Sequence, residues 1–270
     1  MSRHTTALRA ATAVSAAVLA LGALTACDPA EPSAAPSAAA PSPAAPSAAD
    51  TTPAAGDAAS PAASPGTKSG GATGPAVGGI PASAWMKGAD LPLNAAYHWP
   101  AQAGKAKAVK NGEPFAFETL CDSARSQDLT GLGTGSDGAQ SLLSGGTDEW
   151  QVQQTVVHFK GTSSGAVQSA GALLRGLTEE VKACAPDGAT PSVKVTAEDP
   201  AYLAATITLK QGSGGITVHE YLTTTSTTVA ELTVYGPYGT KKPKAAWTVK
   251  DDTAVLRLLG APLCDAFKNC

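Results

Sequence analysis

Histidine, methionine and aromatic side chains are scarce in this chain: 270 residues hold 4 His and 2 Met, and Phe, Tyr and Trp together make up 5%. The scattered histidines and the absence of any Cys-x-x-Cys pair exclude the usual zinc spacings, so no metal or other cofactor is expected. Excess positive charge is missing too. Lys and Arg number 19 against 22 Asp and Glu, and loss of Arg3 and Arg9 with an N-terminal leader would leave 17 against 22. Such a chain has no electrostatic footprint for nucleic acid and no polybasic patch for anionic lipid. No apolar run approaches the ~20 residues of an ordinary membrane-spanning helix.

What is present begins with Arg3, His4 and Arg9 ahead of ATAVSAAVLALGALTA, a basic region followed by a short apolar one. This is the pattern of an export signal. Its end, Leu24-Thr25-Ala26-Cys27, looks like a bacterial lipobox, whose resemblance implies cleavage after residue 26 and acylation of Cys27. Residues 1–26 therefore read as a lipoprotein signal peptide. Residues 28–79 contain only six residues other than Ala, Pro, Ser, Thr and Gly, too few apolar groups to bury a core. Residues 27–79 are thus predicted to be a lipid-anchored disordered linker, of roughly 40 Å end to end as a coil and ~160 Å as extended polyproline II. The expected location is the extracellular face of the cytoplasmic membrane.

Residues 80–270 have the length of one compact domain. WMKGADLPLNAAYHWPAQAG shows no sustained period and reads as loop, with Trp85, Leu91, Leu93, Tyr97 and Trp99 packing at an edge. Pro114 offers a helix start before FAFETLCDSARSQDL. A longer helix follows at SSGAVQSAGALLRGLTEEVKACAPDG, where Val167, Ala170, Leu174, Leu177, Val181 and Cys184 recur at steps of three and four. Residues 150–160, 192–196 and 201–210 have strand character, and a Gly-rich turn at 211–215 leads into ITVHEYLTTT and VAELTVYG as an antiparallel meander. Asp251 and Asp252 precede a last helix, which Pro262 should break or restart. The fold class is α+β: an antiparallel sheet packed by two to three helices with two disulfides.

With Cys27 acylated, four cysteines remain and three pairings are open. Cys121 and Cys184 both lie on core-facing stripes, which favours Cys121–Cys184 and leaves Cys264–Cys270; the latter requires the chain to turn after Pro262. FAFETLCDSA, VVHFKGTSSGAVQSAGALLRGLTEEVKACA and LLGAPLCDAFKNC, within residues 115–270, together resemble the PknH-like extracellular sensor domain family found in actinobacterial lipoproteins. That resemblance implies an α/β domain with two disulfides and a ligand-binding cleft beside the sheet. Neither a kinase domain nor a membrane-spanning helix accompanies it here, so signalling would need a membrane protein partner.

Several patterns suggest chemistry. Gly161-Thr162-Ser163-Ser164-Gly165 fits the nucleophile motif of serine hydrolases, with His219 and Asp187 or Asp199 in the required order. The expected meaning is structural, a serine capping the helix, because His219 belongs to a strand and the chain lacks strand–helix alternation. Gly133 to Gly138 matches a dinucleotide fingerprint but follows a helix, and reads as a surface loop. The paired acids Glu179-Glu180, Glu198-Asp199 and Asp251-Asp252 read as solvated faces or helix starts. The remaining candidate is the meander's more polar face, where His219, Tyr221 and Thr223, with Thr206 and Thr208 beside them, would face outward and could hold a small polar, glycan or peptide ligand. A non-catalytic, membrane-anchored binding domain is the expected function; a cell-envelope serine hydrolase using Ser163 and His219, or a docking scaffold, is the alternative.

Overall fold

The computed structural model describes residues 74–110, 112–123, 125, 136–161 and 164–268. The signal peptide, Cys27, most of the linker, Ser163 and Cys270 lie outside these residues. Seven strands form one sheet: β1 (Lys107–Ala108), β2 (Ser136–Ser144), β3 (Gln151–Phe159), β4 (Thr190–Asp199), β5 (Tyr202–Gln211), β6 (Gly214–Thr225) and β7 (Thr228–Tyr238). Their order is β1-β2-β3-β7-β6-β5-β4, and every neighbouring pair is antiparallel. The α+β expectation is met, with the β5-β6-β7 meander lying between β4 and β3.

Two long helices cover opposite faces. On one lies α3 (Ser164–Lys182), which buries Ala166, Ala170, Leu173, Leu174, Leu177 and Val181. These residues pack on Leu203, Ala205, Ile207, Val218, Leu222 and Val229. Its stripe is rotated slightly from the sequence reading, for Val167 is exposed. The short α2 (Ala116–Leu120) joins this face through Phe115 and Phe117, and the Cys121–Cys184 disulfide fastens it to the end of α3. Here the expected helix from 114 to 129 gives way after Leu120 to a turn.

The other face carries the last helix, α4 (Asp252–Phe267), and an N-terminal wrap of short turns. The wrap consists of the 3-10 helices η1 (Ala82–Ala84), η2 (Gly88–Asp90) and η3 (Gln102–Lys105), with the four-residue α1 (Asn94–Tyr97) between them. Asp251 caps α4 by accepting from the Ala254 amide. Pro262 neither breaks nor restarts this helix but sits inside it. The apolar residues of the wrap are core rather than edge: Ile80, Trp85, Met86, Leu91, Leu93 and Trp99 pack with Tyr221, Leu232, Val234, Leu256, Leu259 and Leu263. Buried Gln154 of β3 anchors the wrap, accepting from Met86 N at 3.2 Å and Gln102 Nε2 at 2.6 Å.

Two further expectations change. Ser136 to Gly138 open β2 instead of forming a loop, while Gly133 to Gly135 lie outside the described residues. One disulfide, Cys121–Cys184, is complete among the described residues. Cys264 is also disulfide-bonded, but Cys270, its expected partner, is not described, and α4 continues past Pro262 to Phe267 before Lys268 ends it in the left-handed region.

Candidate functional site

Between the wrap and α4 runs a groove of about 730 Å³, within the range of small-molecule sites. Trp85, Met86 and Trp99 form one wall and Leu258 and Pro262 the other. The tryptophans and Met86 are largely buried, so their positions are fixed by the core; Leu258 is 40% exposed and supplies the open apolar surface. Trp99 is held from two sides, its indole N–H donating to Pro92 O at 2.7 Å and its ring stacking on Tyr97 at 4.8 Å. Polar side chains at the groove are Ser83, Lys87, Asp90, Gln102 and Asp265. Pro262 has no N–H to give the carbonyl of Leu258, four residues back in the helix. The groove is therefore apolar in body, with donors and carboxylate acceptors among its polar side chains.

Residues chosen from the sequence lie on the same face of the sheet but not in the groove. His219, Tyr221 and Thr223 were expected to face outward; they are 7%, 1% and 6% exposed, beneath α4 and the segment leading into it. Thr206 and Thr208 are half-buried alongside. Thr206 Oγ1 lies 3.2 Å from His219 Nδ1, and the imidazole is stacked on Trp247 at 3.6 Å between centroids with 4° between planes. Trp150 leans against both rings, at 5.8 and 5.5 Å. Burial lowers the His219 pKa to about 4, against a smaller opposing pull from Asp252, so the ring is neutral at physiological pH. Tyr221 donates to Asp252 Oδ1 at 2.7 Å. The central strands are covered on both faces, and residues Val218 through Thr223 are buried without interruption. A polar stripe there is not a wet surface.

The hydrolase geometry finds no support among the described residues. α3, which the Gly-x-Ser-x-Gly stretch opens, packs against Val218 and Leu222, whereas His219 projects from the opposite face. A ring protonated only near pH 4 is also a poor general base at neutral pH. The paired acids have local roles. Glu179 and Glu198 both pair with Lys182, Asp251 caps α4, and Asp252 holds Tyr221. Among the described residues no three His, Cys, Asp or Glu side chains are grouped as a metal would require, and no helix is long and apolar enough to cross a membrane.

The α3 face contains polar groups that the sequence reading passed over. Glu118, Glu220 and Glu231 are all 1% exposed or less. Glu231 accepts from Ala116 N and Phe117 N, both at 3.1 Å, and from Thr155 Oγ1 at 2.7 Å. Glu118 forms a two-pronged ion pair with Arg125, at 2.8 Å from Nε and 2.6 Å from Nη2. The signal available was a charged residue at an inward register position, Glu220 between Val218 and Leu222.

No protein-family model matches the chain, and no curated protein does. Among solved structures, it is similar to the extracellular domain of PknH from Mycobacterium tuberculosis, at 15% identity and a TM-score of 0.38, over 61% of this chain and 84% of that one.

Proposed function

We propose that this protein is an extracytoplasmic lipoprotein, anchored through acylated Cys27, whose folded domain binds a ligand without transforming it. The observation that carries the binding role is the groove over α4: preset tryptophan walls, an open leucine, and carboxylate acceptors from Asp90 and Asp265. Apolar faces with acceptors at the rim suit a glycan or peptide, which brings apolar ring or methyl faces together with O–H and N–H donors. The lipobox and the Ala/Pro/Ser segment support the anchoring, and a membrane protein partner would complete a signalling route.

The test is a titration of the purified full chain, followed by intrinsic tryptophan fluorescence, with soluble peptidoglycan fragments containing glycan and stem peptide. A saturable change is expected, with at least tenfold weaker binding for Leu258→Arg, which places a long cation at the open wall. Fluorescence that ignores every fragment, or binding indifferent to the substitution, would sink the groove as the site. Labelling with a fatty-acid probe, lost in Cys27→Ala, checks the anchor separately.

A further inference from the structure

Glu220 and Glu231 stand on neighbouring strands beneath α2, with Glu231 paired to Leu222 and Glu220 to Thr233 in the ladder. Both are fully buried. From α2 and its flank come Glu118 and Arg125, which neutralise each other; from β3 comes the Thr155 hydroxyl; from β7 the Thr233 hydroxyl, donating to Glu220 Oε2 at 2.7 Å. β5 offers Ala205 opposite Glu220, and the α3 side chains in this core are alanine, leucine and valine. Among the described residues no cation is paired with either carboxyl. Glu231 already receives three donors, as suits a carboxylate, whereas Glu220 Oε1 is sealed from water with no donor. A protonated Glu220 suits that position, its O–H turned toward Glu231, which stands diagonally across the ladder on the same face of the sheet.

We propose that the two glutamates form a proton-sharing clasp that holds α2 on the sheet, and that removing the shared proton releases α2 from its seat. The clasp grips through the Ala116 and Phe117 amides, both bonded to Glu231. Ionising Glu220 as well would place two buried negative charges side by side with no counterion, and exposing them to water by lifting α2 is the available relief. Burial, reinforced by the Glu231 charge, holds Glu220 well above the ordinary carboxyl range, and burial raises Glu231 to about 7. The clasp therefore loosens as the medium turns alkaline. Its movement would alter the polar cleft of about 270 Å³ between α2 and Gln140, Gln153 and Tyr235. Gln140 is wired to the clasp directly, since its Nε2 donates to Thr155 Oγ1 at 3.3 Å and that hydroxyl donates to Glu231.

Hydrogen exchange of the full chain at pH 6 and pH 9, corrected for intrinsic chemistry, tests the clasp at the two amides it holds. In the native protein, exchange at Ala116 and Phe117 should quicken at least tenfold at pH 9 while the β6 amides hold steady. Glu220→Gln supplies a permanent N–H donor in place of the proton and should abolish the difference. Equal exchange at both pH values, or an undiminished difference in E220Q, would overturn the proposal. Infrared spectroscopy of the unmutated chain gives a second reading: a protonated buried carboxyl is expected at pH 6 and lost on raising the pH, and its absence at pH 6 would overturn the clasp without any variant having to fold.

Discussion

On one face of the sheet the cover is a 19-residue helix stapled by Cys121–Cys184; on the other it is a 16-residue helix helped by an aperiodic wrap holding Trp85 and Trp99. The polar groups trapped under the two covers have opposite preferences. Beneath α3 and α2 lie carboxyls that burial drives toward the protonated form, and beneath α4 lies an imidazole that burial drives toward the unprotonated one. Both faces thus limit the charge they bury. They differ in which side of neutral pH threatens each.

The largest expected effect separates the covers by their staple. Cys184→Ala should destabilise the domain by about 4 kcal/mol, the loop-closure value for a separation of 63. Urea unfolding measures it, and a loss below ~1 kcal/mol would mean that α2 and α3 hold without the bridge. Next in size, Leu177→Ala on one face and Leu259→Ala on the other, each removing a fully buried side chain, should cost about 3 kcal/mol apiece. Losses differing by more than twofold would show that the wrap yields around a cavity where α3 does not.

Acid and base then probe the trapped groups. For Glu231, with a pKa raised to about 7, the folded state binds the proton more tightly than the unfolded chain. Its contribution is complete below an ordinary carboxyl pKa and is lost as pH rises through 7. For His219, lowered to about 4, the contribution is complete above an ordinary imidazole pKa and is lost as pH falls through 4. A Tm series across this range should therefore show two limbs. His219→Gln should flatten the acid limb alone, and an unchanged acid limb would remove the histidine from the comparison. A smaller perturbation is Trp247→Ala, which uncovers the ring and should move the His219 pKa upward from 4 toward the ordinary value in an NMR titration. The smallest is Lys241→Ala, which breaks an exposed ion pair with Asp148 and should change stability by less than ~0.5 kcal/mol.

The α3 face was legible in the sequence because its elements are periodic: leucines at helical steps in α3, and aliphatic alternation in β5 and β6. The α4 face was legible only in the start of its last helix, at Asp251 and Asp252. The wrap has no period, since its course depends on tertiary bonds such as Met86 and Gln102 to Gln154. β2 opens on Ser136, Asp137 and Gly138 and resembles a loop until it pairs with β3. Alternation misled at His219, Tyr221 and Thr223, because a strand covered on both sides buries its polar set as well as its aliphatic one. A proline with no donor for the preceding turn suggested a break at 262, yet packing of Leu256, Leu259 and Leu263 carries the helix through. The groove's walls were visible as residues, though not as a site, because their two halves are far apart in the chain.

The Cys121–Cys184 bridge has a mechanical side as well. It encloses β2, β3 and all of α3, so a chain pulled by its ends could not pay out the enclosed stretch. With a separation of 63 residues at ~3.5 Å each, roughly 220 Å of contour stays locked while the bond is intact. Stretched under load, the oxidised protein would stop short where the reduced one would run on, so a single covalent bond acts as the molecule's travel limiter.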